Sequence, residues 1–100
     1  MEPGRIRLDL NEPRFQDELF GLTKEQQTSL LGTLRKLSRM SWGQLYQDPG
    51  LKWESINSLT GQSRRLYSFR IGKGFRAVAY REGDWLTVVS LHPDHDSAYR

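Results

Sequence analysis

The last third of the chain confines the fold most tightly. Leu66-Tyr67-Ser68-Phe69-Arg70-Ile71 leads into Gly72-Lys73-Gly74, and Phe75-Arg76-Ala77-Val78-Ala79-Tyr80-Arg81 leads into Glu82-Gly83-Asp84. Trp85-Leu86-Thr87-Val88-Val89-Ser90-Leu91 follows. Three β-rich runs joined by short glycine-bearing turns predict a meander of antiparallel strands. Strand side chains alternate between faces, so Tyr67, Phe69 and Ile71 are expected on one face, Ser68 and Arg70 on the other. The exposure of Arg70 and Arg76 depends on pairing register, which the sequence leaves open.

The upstream residues read as scaffold for this sheet. Arg5-Ile6-Arg7-Leu8-Asp9-Leu10 alternates with period 2 and predicts a half-buried or edge strand. Asn11 is the expected cap of a short helix with Pro13 in its first turn, Phe15, Leu19 and Phe20 on its apolar side and its end near Gly21. Thr23 and Gln26 have capping-box spacing, and Leu30, Leu31, Leu34 and Leu37 form the stripe of a longer helix over residues 24–40. Residues 42–62 are the least regular stretch, broken by Pro49, Gly50 and Gly61; a short strand or turn is expected within Gly50–Ile56. Trp42 and Trp53 suit core or lid packing, with base stacking as the functional alternative. The expectation is one α+β domain over residues 1–100, ordered β-α-α-β-β-β, with two helices on an antiparallel sheet.

Charge distribution narrows the partners. The net charge is only +3, but Arg64, Arg65, Arg70, Lys73, Arg76 and Arg81 fall in a stretch without a single acid. Eleven of the fifteen basic residues are arginine, the side chain whose planar fork matches phosphate. A polyanion such as RNA fits this patch; a solvated face or a docking patch for an acidic protein segment also does. No apolar run is long enough for a membrane span and no secretory leader is evident, so a cytoplasmic location without membrane attachment is expected. The absence of cysteine excludes disulfides and thiolate metal ligation.

Two motifs invite chemistry. Gly72-Lys73-Gly74 lacks the remainder of a phosphate loop and no helix pattern follows it, so it reads as a hairpin turn. His92-Pro93-Asp94-His95-Asp96 gathers metal-ligand types, but these are the only two histidines and no second segment offers partners. No metal and no cofactor is expected. An acid–base site is the functional reading of this tail, with Asp96 orienting an imidazole; a capped sheet end with Tyr99 as final anchor is the structural one. Ion pairs to Glu54 or Asp96 would be the structural reason for Arg70 and Arg76, and phosphate neutralisation the functional one.

Leu66–Ile71, Gly74-Phe75-Arg76-Ala77-Val78 and the closing His95-Asp96-Ser97-Ala98-Tyr99 together resemble the RelE/ParE toxin superfamily, with Leu51-Lys52-Trp53-Glu54 as a weaker echo. The resemblance implies the toxin of a toxin–antitoxin pair. In its RelE branch this is a ribosome-dependent, metal-free mRNA endoribonuclease in which a ribose 2′-OH attacks the adjacent phosphate. Carried onto this chain, it assigns phosphate binding to Arg76 with Arg70 beside it. Acid–base and base-stacking roles fall on His95 and Tyr99, with Glu54 and Asp96 as further acid–base candidates. Lys52, Arg64, Arg65, Lys73 and Arg81 would make the RNA-binding surface. Ser68 stands where some ribosome-dependent members carry lysine. The implied partners are an antitoxin, the ribosome and mRNA. The alternatives are a ParE-like gyrase inhibitor without nuclease activity and a non-toxic protein-binding module.

Overall fold

The computed structural model describes residues 4–56 and 64–93. Its elements run β1 (Arg7–Asp9), α1 (Pro13–Phe20), α2 (Lys24–Ser38), α3 (Trp42–Gln47), β2 (Glu54–Ser55), β3 (Tyr67–Gly72), β4 (Phe75–Glu82) and β5 (Trp85–His92). The strands form one sheet in the order β1-β5-β4-β3-β2. The three-run meander therefore makes the centre, and the two shortest strands make the edges. Every pairing is antiparallel except β1 with β5, where the helices between the two strands carry the chain back to run in the same direction.

The α+β class is as expected, but the order gains a helix and a strand. The additional helix lies in the stretch read as irregular. Ser41 Oγ accepts from the Gln44 backbone N–H while the Gln44 side chain accepts from the Ser41 N–H, the same reciprocal cap that Thr23 and Gln26 make for α2. Such a cap contributes about 1 kcal/mol, and Trp42 and Leu45 anchor the six-residue helix in the core. In α1 the cap position is Glu12, not Asn11; Asn11 instead donates twice to Asp9 Oδ1 at the end of β1.

One face of the sheet holds the core. Phe69, Phe75, Ala77, Ala79, Leu86, Val88 and Leu91 pack against Phe15, Leu30, Leu34, Leu37, Trp42 and Leu45. Two expected core positions face solvent: Phe20 is 78% exposed and Leu31 62% exposed. Phe20 is the last residue of α1 and Leu31 stands beside the Leu30–Leu34–Leu37 line, beyond the sheet's reach. Trp53 joins the core side by stacking on Tyr67, 4.7 Å between centroids, with Trp42 edge-on to it at 5.6 Å. Where β1 ends, the edge of β5 away from β4 has no strand neighbour among the described residues, and Glu18 Oε1 of α1 accepts the Leu91 backbone N–H at 2.8 Å.

Candidate functional site

Register brings the strand arginines together. Arg70 of β3 pairs directly with Arg76 of β4, so both side chains leave the sheet on the face away from the helices. Across the other edge of β4, Arg76 pairs with His92 and Val78 with Ser90. Val78 therefore shares the arginine face rather than the Phe69 face.

This face carries buried polar groups. Arg76 is only 7% exposed, Ser68 2% and His92 9%. Arg76 Nη2 donates to Ser68 Oγ at 2.7 Å and to the Lys52 carbonyl at 3.0 Å, and its Nε donates to the same hydroxyl at 3.2 Å. Among the described residues its partners are thus neutral oxygens. Among the described residues no carboxylate pairs with Arg76 or Arg70, and Glu54 does not supply the ion pair that would have made them structural. A buried guanidinium held by neutral acceptors keeps its full charge for an incoming anion.

The backbone of the neighbouring loop is shaped to hold it. Lys52 has φ +48°, the sole positive value for a non-glycine among the described residues. A left-handed lysine costs about 1 kcal/mol. In return its carbonyl faces Arg76, while the preceding carbonyl of Leu51 accepts the Arg70 backbone N–H at 2.7 Å. Lys52, Arg70 and Arg76 with Gly72 and Gly74 line a cleft of about 200 Å³. Among the described residues it contains three cations and no acid. Gly74 turns the hairpin at φ +71°, the conformation glycine tolerates best, and keeps that rim of the cleft low.

The remaining sequence-derived candidates divide. Glu54 pairs with Ser68 in register and stands on the edge of the same face. Arg64 stacks over Tyr80 at 4.3 Å and approaches Glu82 at 3.8 Å, towards the other end of β4. Arg65 is exposed in the approach to β3, and Lys73 at the tip of the β3–β4 turn lines a small hollow with residues of the α2 start. Arg81 is not brought to this face. It lies over the Trp42 ring at 4.3 Å and donates to the Tyr46 hydroxyl at 2.7 Å, on the α3 side. His95, Asp96 and Tyr99 lie outside the described residues.

Ser68 and His92 were missed as site residues. Ser68 looked like an ordinary polar strand position, and only the pairing shows that its hydroxyl holds Arg76. His92 was weighed only as part of the His92–Asp96 tail, as a metal ligand, an acid–base group or a capped sheet end, and not as a neighbour of Arg76. Its Nε2 lies 2.8 Å from Ser90 Oγ, and it is the cross-strand neighbour of Arg76. The signal was available in its alternation with Ser90, which marks one face of a strand.

No group of three or more metal-ligating side chains occurs among the described residues, and no described helix is long and apolar enough to cross a membrane. The arrangement suits recognition of a phosphate in a polyanion: one buried, hydrogen-bonded cation, one exposed cation opposite it, and a third at the rim.

Comparison with known proteins agrees at the level of fold. No protein-family model and no curated protein matches the chain. Among solved structures, a chain of the archaeal RelE–RelB complex from Pyrococcus horikoshii superposes with a TM-score of 0.63 at 16% identity, covering 89% of this chain and 94% of that one. A mutant toxin from Helicobacter pylori, solved with copper bound, gives a TM-score of 0.51 at 21% identity, covering 92% and 97%. The chain shares the fold of these two structures.

Proposed function

We propose that this protein is the toxin of a toxin–antitoxin pair and that it cleaves mRNA on the ribosome. The reading rests on the cleft in which Arg76, oriented by Ser68 and the Lys52 carbonyl, stands opposite Arg70 with no acid among the described lining residues. The likeness in fold to a chain of a RelE–RelB complex supports it. Arg76 and Arg70 take the non-bridging oxygens of the scissile phosphate. A base removes the ribose 2′-OH proton, the oxygen attacks phosphorus, and an acid protonates the departing 5′-oxygen. The products are a 2′,3′-cyclic phosphate and a 5′-hydroxyl. Negative charge grows on the phosphorane, and a cation already fixed in place stabilises it without reorganising. His95 is the proposed acid–base group and Tyr99 stacks on a flanking base, with Asp96 and Glu54 as auxiliary carboxylates. An antitoxin is the proposed partner and the cytoplasm the proposed location.

The test is a cell-free translation reaction with purified protein and a defined mRNA, new 5′ ends being mapped by primer extension. Expected are cuts within the reading frame that require ribosomes, persist in chelator and vanish with His95→Ala. An intact message with unimpaired translation would reject the nuclease and turn attention to gyrase.

A further inference from the structure

The side chains of the arginine cleft match only one part of a nucleic acid. Among the described residues the lining is Lys52, Arg70, Gly72, Gly74 and Arg76. Lysine and arginine side chains carry donors and no acceptors, and glycine carries neither. A nucleobase edge mixes donors with acceptors, and a ribose 2′-hydroxyl is both. A phosphodiester offers acceptors alone, and they are charged. The cleft measures about 200 Å³, below the range of pockets that enclose a whole small molecule, so it seats a backbone group rather than a nucleoside.

The hydrogen bonds of Arg76 narrow the choice further. Reading a guanine edge takes two nitrogens of one guanidinium, held as a fork. Arg76 Nε and Nη2 both donate to Ser68 Oγ, at 3.2 and 2.7 Å, and Nη2 donates again to the Lys52 carbonyl at 3.0 Å. The side-on edge of the guanidinium is therefore filled, and so is the Nη2 half of its end-on edge. Among the described residues Nη1 alone has no acceptor. Arg76 can grip one oxygen through Nη1 but cannot present a fork to a base. Nor does an aromatic platform line the cleft among the described residues: Trp53, next to Lys52, is stacked on Tyr67 at 4.7 Å on the core side.

We infer that the arginine cleft is a backbone clamp indifferent to base and to sugar, so that single-stranded DNA occupies it as readily as RNA. The inference rests on the phosphate reading of the cleft and deepens it. Phosphate contacts position a strand and base contacts specify it, so any choice of sequence is made by groups outside this cleft. The ribose 2′-OH matters to the cleavage step and not to the grip. DNA, which has no 2′-OH to attack with, is then a ligand that competes for the cleft without being cut.

The test is fluorescence anisotropy with three labelled strands of equal length: oligo-U, oligo-A and oligo-dU. Each is titrated against wild type, Arg70→Ala and Arg76→Ala, and the quantity read is the fold loss that each variant causes on each strand. Arg70→Ala should weaken all three by the same factor, about tenfold, and flatten the slope of log affinity against log salt by about 0.7 on each. Arg76→Ala should do likewise with a native circular dichroism spectrum; should it fail to fold, the exposed Arg70 decides alone. Unlabelled oligo-dU should displace labelled oligo-U. A loss that differs between strands by more than about threefold, the mark of a hydrogen bond to a base or a sugar, would overturn the inference. So would strands that do not bind, or that bind without regard to Arg70. Cleavage is read separately in the translation reaction, where an uncut message defeats the nuclease step while the clamp stands or falls on the strands.

Discussion

Arg70 and Arg76 occupy directly opposed positions on β3 and β4, two like charges on one face with no acid paired to either among the described residues. Like charges opposed across strands destabilise a sheet. An anion seated between them would turn that repulsion into two attractions. The two differ in freedom: Arg76 is buried and triply hydrogen-bonded, whereas Arg70 is exposed.

Removing the fixed cation should abolish most turnover. Arg76→Ala is expected to lower ribosome-dependent cleavage by about 10²-fold or more. Ser68→Ala should cost less, about tenfold, by freeing the guanidinium from its hydroxyl partner. In a double-mutant cycle Ser68→Ala should add almost nothing to Arg76→Ala, because Ser68 acts through Arg76. Additive losses in primer-extension rates would show that the hydroxyl acts independently.

Lys52→Gly should separate stability from binding. Glycine relieves the left-handed backbone at φ +48° and keeps the carbonyl that holds Arg76. The melting temperature is expected to rise by an amount equivalent to about 1 kcal/mol at most. RNA affinity should fall, with a salt dependence shallower by about one phosphate contact. A titration at several salt concentrations checks the second half, and calorimetry the first.

The two exposed strand arginines of β3 and β4 should behave oppositely. Arg70→Ala is expected to weaken RNA binding while leaving thermal stability nearly unchanged. Arg81→Ala removes the cation over Trp42 and the bond to Tyr46, so it should destabilise by about 1 kcal/mol and leave RNA affinity alone. Chemical denaturation and anisotropy on both variants decide this.

Asp48 should make the α3–β2 turn acid-sensitive. The Leu51 backbone N–H, then Lys36, hold its carboxyl below the ordinary value of 3.8. A depressed folded-state pKa means the contribution to stability is complete above the unfolded-state value and is lost as pH falls through the folded one. Asp48→Asn should therefore be less stable than wild type near neutrality, with the difference shrinking below about pH 4. Urea midpoints across that range would reveal it, and a constant gap would contradict it.

The sequence by itself determined the meander, because alternation and glycine turns are local properties that survive without tertiary contacts. It likewise determined the α2 cap at Thr23 and Gln26 and the buried leucines of that helix. The same capping logic at Ser41 and Gln44 was legible too, but Pro49 and Gly50 nearby masked a helix only six residues long. What only the tertiary structure decided was register. A one-residue shift moves every side chain of a strand to the other face, so nothing local says that Arg70 meets Arg76, that Ser68 and Lys52 hold the latter, or that His92 stands beside it. Arg81 shows the converse: on the same basic strand as Arg76, but five residues on, it points to the opposite side and serves α3. The fold was a matter of pattern; the site was a matter of which strand lies next to which, and at what offset.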